Sequence, residues 1–135
     1  MTLHLWPIYY SMTKIVMLNE DLHSQMQIYL ELCDRYIIEI AENVEAAMYL
    51  LRKMRPEILL MDYDLNQFKT NGKTGVDFVK KVKRKYHDLK VIVILDNHQK
   101  PLEPEIQDNG ADTVLYKPIK NRNLLTNVRK LEMTN

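Results

Sequence analysis

Cysteine is almost missing from this sequence of 135 residues, where Cys33 stands alone. One thiol excludes a disulfide scaffold and suits a reducing compartment. Charge of one sign is missing too: 19 Lys+Arg face 18 Asp+Glu, for a formal net charge of +1. A dedicated nucleic-acid or polyanion binder normally carries a clear basic excess, so that class is set aside. Purely apolar stretches such as Val91 to Leu95 fall far short of the ~18 residues a membrane span needs, which excludes a bilayer crossing. Glycine and proline are few, at three and five, while 46% of the residues are hydrophobic. What is present is the length and apolar content of one ordinary globular domain, able to bury roughly two thirds of its unfolded surface.

Residues 1–12 stand apart from a domain expected over 13–135. Leu3, Leu5, Trp6, Ile8, Tyr9 and Tyr10 are apolar or aromatic, but the absence of a basic start and of a small-residue cleavage site, together with Pro7, argues against a signal peptide. Two readings stay open, an arm packed on the domain or a mis-assigned start, since Met12-Thr13-Lys14 would itself make a natural beginning.

From Lys14 onward the pattern alternates. Lys14 to Leu18, Ile58 to Met61 and Val91 to Leu95 are short apolar runs fit for strands buried on both faces, and Tyr36 to Ile40 and Thr113 to Tyr116 are weaker candidates. Helical stripes lie between and after them: Leu22, Met26, Tyr29, Leu30 and Cys33; Val44, Ala47, Met48 and Leu51; Val76, Val79, Val82 and Tyr86; Leu124, Val128 and Leu131. A short helix is expected between Pro101 and Asn109, with both prolines near its start and Asn109-Gly110 closing it. Strict alternation predicts a doubly wound α/β fold with a parallel sheet and helices on both faces. In such sheets ligands bind outside the carboxyl ends of the strands, just after Leu18, Met61, Leu95 and Tyr116.

Those places carry Asn19-Glu20-Asp21, Asp62, Asp96 and Lys117-Pro118. Carboxylates clustered at a sheet mouth repel one another unless something positive enters, and Mg²⁺ suits one or two carboxylates with carbonyl, water and phosphate oxygens. With its charge neutralised, Asp62 can act as a nucleophile toward a phosphoryl group, and Lys117 can pair with the phosphate as a mobile point charge.

With these residues the chain resembles the receiver domain of response regulators, of the single-domain, chemotaxis-regulator-like kind. The matching segments are Lys14 to Glu20, Pro56 to Asp62 and Gly110 to Pro118, within a likeness that runs from about Lys14 to Leu131. The resemblance implies a flavodoxin-like (βα)5 fold of strand order 2-1-3-4-5, the order known for that family. It further implies phosphoryl transfer to Asp62 from a histidine kinase or phosphotransfer protein in a two-component phosphorelay, with output by contact with a downstream protein. Mg²⁺ or Mn²⁺ would be held weakly by Glu20, Asp62 and the backbone carbonyl of Asp64, with Lys117 pairing the phosphate and Asn19 and Asp21 as pocket neighbours. A cis peptide at Lys117-Pro118, a cytoplasmic setting and no enzymatic role beyond the domain's own phosphorylation and dephosphorylation are also implied.

The departures are specific. Asn19 stands where the family has its first acidic residue, and Leu95 where it has the Ser or Thr that hydrogen-bonds the phosphoryl group, which Leu cannot do. The switch aromatic falls at Val114, although Tyr116 would face the same side of its strand. The connection Tyr63 to Thr74 is about five residues longer than the family loop and lacks the proline expected at Asn66. A structureless loop of roughly twelve residues is expected there, of the kind that is often functional. Asn19, Leu95 and Val114 together support an alternative, a pseudo-receiver that serves as a phosphorylation-independent interaction module. A flavin or nucleotide binder ranks behind, because no Gly-rich or hydroxyl-rich phosphate loop follows the first strand. The basic run Lys80, Lys81, Lys83, Arg84 and Lys85 reads as a solvated face. Cys33 reads as core, and the histidines share no zinc-site spacing.

Overall fold

The three strongest apolar runs carry no exposed residue, and this fixes the layering. β1 (Lys14–Leu18), β3 (Ile58–Asp62) and β4 (Lys90–Leu95) form the centre of a parallel sheet, with β2 (Ile37–Ala41) and β5 (Thr113–Tyr116) at its edges. The computed structural model describes residues 12–70 and 74–133, so the arm or mis-assigned start expected before Met12 and part of the Tyr63 to Thr74 connection, residues 71–73, lie outside the described residues. Strand order is 2-1-3-4-5, as expected. Asp62 lies level with Ile94, and Leu95 with Tyr116.

Because strand side chains alternate, each strand feeds two cores. On one face Val16, Leu18, Leu59, Met61, Val91, Val93 and Leu95 pack beneath α2 (Val44–Met54), α4 (Gly75–Lys85) and α5 (Glu103–Asp108), through Ala47, Leu51, Val76, Val79, Val82 and Ile106. On the other, Ile15, Met17, Ile58, Leu60, Ile92, Ile94 and Leu115 meet α1 (Leu22–Leu32) and α6 (Asn121–Glu132) through Ile28, Leu32, Leu124 and Val128. The stripes expected for α2, α4 and α6 face these cores, with Val44, Met48 and Tyr86 at their margins. Cys33 packs at the margin of the second. Residues 97–102 form a 3-10 turn containing Pro101 and run straight into α5, and Gly110 follows with φ +121°.

The stripe expected for α1 is not the buried one. Leu22, Met26, Tyr29 and Leu30 are exposed, and Gln25, Ile28 and Leu32 turn inward. The helix is apolar on both sides, so hydropathy could not choose its face. The choice is made by Gln25, whose amide Nε2 donates to the Asn19 carbonyl at 2.6 Å.

The connection after β3 is not structureless either. It contains α3 (Asn66–Thr70), held by the buried side chains of Leu65 and Phe68, with the Phe68 ring 5.8 Å from that of Phe78. Gln67 extends the anchorage, its Oε1 accepting from the Val44 amide at 2.9 Å and its Nε2 donating to the Glu45 carboxylate. Leu65 and Phe68 stand singly among polar residues, so no repeating apolar stripe announces this helix in the sequence; Val76 begins the next core-facing stripe.

Lys83 also departs from its expected solvated position. Its ammonium donates to the Leu89 carbonyl at 2.7 Å and pairs with Asp112 at 3.0 Å, which ties the end of α4 to the entry of β5. The other four members of the basic run are exposed.

Candidate functional site

β1 ends at Leu18, and the chain leaves it through a wholly buried Asn19. Every part of this residue is engaged: its N–H donates to the Ala41 carbonyl at 2.9 Å, Oδ1 accepts from the Asp21 amide at 2.8 Å, Nδ2 donates to Ser24 Oγ at 3.0 Å, and its carbonyl receives Gln25. A neutral amide suits this place because it both donates and accepts. Asp21 then caps α1, accepting from the Ser24 amide at 2.9 Å. Glu20 between them is exposed, and its Oε1 accepts from the backbone amide of Asn66 at 2.8 Å.

Asp62 closes β3 with only 4% of its surface exposed. Its Oδ1 accepts from the Asp64 amide at 2.8 Å, and the Lys117 ammonium lies 2.9 Å from Oδ2 and 3.1 Å from Oδ1. Lys117 leaves β5 with its own N–H donating to the Leu95 carbonyl at 2.9 Å, and the peptide bond to Pro118 is cis, as the resemblance implied. Burial pushes the Lys117 ammonium toward a lower pKa, but the hydrogen bond and charge of Asp62, with Asp96 and Asp64 behind it, more than offset this and leave it raised. The Asp64 carboxylate pairs with Lys69 at 2.9 Å, and that hydrogen bond holds its pKa below the ordinary value despite partial burial.

Asn19, Glu20, Asp21, Asp62, Asp64, Asn66 and Lys117 thus line one open cleft of about 520 Å³ at the carboxyl edge of the sheet. Among the described residues no three His, Cys, Asp or Glu side chains converge as a metal cage. The hard oxygens present nevertheless suit Mg²⁺, which needs one or two carboxylates and keeps several waters.

Leu95 ends β4 but does not line this cleft: it is fully buried in the apolar core beneath α2 and α4. Val114 and Tyr116 are partly buried and pack against that same core, and the Tyr116 hydroxyl donates to Glu103. Sequence reasoning missed three participants, the Asn66 amide, Gln67 and Lys69. No side-chain motif announces a backbone donor, and Lys69 gains its partner only because α3 folds.

Comparison with known proteins bears on the same elements. A family model described as the response regulator receiver domain matches residues 16–129. No curated protein matches the sequence significantly. Among solved structures, the chain is similar to the N-terminal signal receiver domain of a two-component system response regulator from Bacteroides fragilis, at 20% identity and a TM-score of 0.83, covering 93% of this chain and 100% of that one. It is similar also to a chemotaxis protein of Vibrio cholerae, at 21% identity and a TM-score of 0.79, over 90% of this chain and 99% of that one. A receiver domain protein from Methanospirillum hungatei gives 20% and 0.79, over 90% and 95%. Among the described residues no helix is long and apolar enough to cross a membrane.

Proposed function

From the premise that this chain belongs to the response regulator receiver domain family of two-component systems, we propose that Asp62 accepts a phosphoryl group from a histidine kinase or phosphotransfer protein. The observation that carries this reading is the pairing of a nearly buried Asp62 with Lys117 at 2.9 Å inside a cleft rimmed by hard oxygens. An Asp62 carboxylate oxygen forms the new O–P bond as the donor's P–N bond breaks; the electron pair leaves on the histidine nitrogen, which takes up a proton. Lys117, fixed at its backbone by the Leu95 carbonyl, transfers its ammonium from the carboxylate to the phosphoryl oxygens. Receiver domains are generally Mg²⁺-dependent, and Glu20, Asp62 and the Asp64 carbonyl are the groups we assign to the ion. When bound, it neutralises the carboxylates and draws charge from the phosphoryl oxygens. The chemistry is confined to the gain and loss of the domain's own phosphoryl group, and the output is a protein contact.

A specific observation supports the second reading, a pseudo-receiver that binds its partner without phosphorylation. Leu95 offers no hydroxyl and is sealed in the core, so the phosphoryl group lacks one of its partners.

Intact mass after incubation with acetyl phosphate and Mg²⁺ tests the two readings. A phosphoryl adduct on the wild type that is absent from Asp62→Asn is expected; no adduct on either at saturating metal would favour the pseudo-receiver.

A further inference from the structure

The proposed metal ligand Glu20 already has a partner. Its Oε1 accepts from the Asn66 amide, 46 residues away, at 2.8 Å. That amide belongs to the first residue of α3, and α3 is in turn fastened to Asp64 by Lys69 and to the start of α2 by Gln67. One carboxylate therefore joins the candidate cation site to the inserted helix.

We infer that Asn66 is a positioning residue whose backbone N–H competes with a divalent cation for Glu20, so that cation binding and the seating of α3 oppose each other. The inference rests on the metal reading given above. A charge-assisted hydrogen bond to a carboxylate occupies a lone pair and withdraws charge from the oxygens, which lowers its attraction for a metal cation. A cation drawn onto Glu20 weakens the Asn66 bond in return, and by linkage the two effects are equal in size. The Glu20 side chain is exposed, which sets the scale: a single charge-assisted hydrogen bond partly replaceable by water changes an affinity by about three- to tenfold.

The backbone offers a direct test. Proline is tolerated at the first position of a helix, where it removes only an N–H that the helix does not use internally. In calorimetric titrations of the full chain with Mg²⁺ alone, with no phosphoryl donor, Asn66→Pro is expected to bind about three- to tenfold more tightly than wild type. Asn66→Ala, which keeps the N–H, should match wild type, and Glu20→Ala should lose binding. In the wild type, saturating Mg²⁺ should speed hydrogen exchange at the Asn66 amide. Binding by Asn66→Pro equal to or weaker than wild type, with Glu20→Ala still defective, would overturn the inference and leave the metal reading standing. Binding that ignores both Glu20→Ala and Asp62→Ala, or no binding in any protein, removes both. Should Asn66→Pro fail to fold, an Asn66 amide whose exchange is indifferent to Mg²⁺ in the wild type overturns the competition.

Discussion

The Lys117 ammonium straddles both carboxylate oxygens of Asp62, at 2.9 and 3.1 Å, and Asp62 is only 4% exposed. Removing the cation strands a desolvated negative charge. Lys117→Ala should therefore lose about 1–3 kcal/mol of stability, less than a fully buried pair because the Lys117 side chain is 29% exposed. Urea denaturation at pH 7 measures it. A double variant with Asp62→Ala should recover part of the loss, and simple additivity of the two single effects would show that the pair does not couple.

Gly75 opens α4 beneath the ring of Tyr63, where an added Cβ would lie 2.4 Å from Tyr63 Cε1. Gly75→Ala should thus cost about 1–3 kcal/mol through overpacking, although alanine is the better helix former. In a Tyr63→Ala background the same change should cost little or become favourable. An equal cost in both backgrounds would place the penalty elsewhere.

Tyr36, buried at the foot of the sheet, donates its hydroxyl to Glu132 at 2.9 Å. Burial, then the hydrogen bond and charge of Glu132, push its pKa up to about 12 from 10.0. The native state thus holds this proton more tightly than the unfolded chain does. Its contribution is fully present below pH 10 and is lost as the pH rises through about 12. Lys117, also raised, acts in the same direction. Thermal melts should show a midpoint that falls between pH 10 and 12 and falls less steeply in Tyr36→Phe; identical slopes would exclude Tyr36 as a contributor.

Leu95→Thr should introduce a hydroxyl at the end of β4 at the expense of buried hydrocarbon, costing about 2–4 kcal/mol. A hydrogen bond to a charged group is worth ~1.5–3 kcal/mol, whereas moving an equilibrium from 1:99 to 99:1 takes about 5.5 kcal/mol of differential interaction. Backbone amide spectra with and without beryllofluoride read the result. In wild type the shifts should concentrate around Asp62 and Lys117, and in Leu95→Thr they should extend to Thr113–Tyr116 and α5. A full remote response in the wild type would transfer the relay to another group, with Tyr116 and its partner Glu103 the first to examine.

Much of this architecture is legible in the sequence because period and burial coincide. Val91 to Leu95 is apolar throughout since both faces of β4 are covered, and Val76, Val79 and Val82 keep helical spacing since only one face of α4 is. Asp62 and Lys117 are legible because strand ends in an alternating fold converge at one edge of the sheet. What stayed hidden depends on groups that carry no residue-type signature. The Asn66 amide finds Glu20 only in three dimensions, and α3 is too short for periodicity to show. On α1 the apolar residues outnumber the buried positions, so the pattern could not be phased without knowing that Gln25 reaches the Asn19 carbonyl.

That last contact reverses the ordinary relation between hydropathy and tolerance to substitution. Along α1 the polar Gln25 occupies the demanding position, while Leu22, Met26 and Leu30, at 67%, 55% and 68% exposure, occupy permissive ones. A saturation scan scored for folding should accept Lys or Glu at these three sites and reject most replacements of Gln25. The helix therefore has room to become more soluble without becoming less stable, and the residues available for that change are the ones a hydropathy profile would protect first.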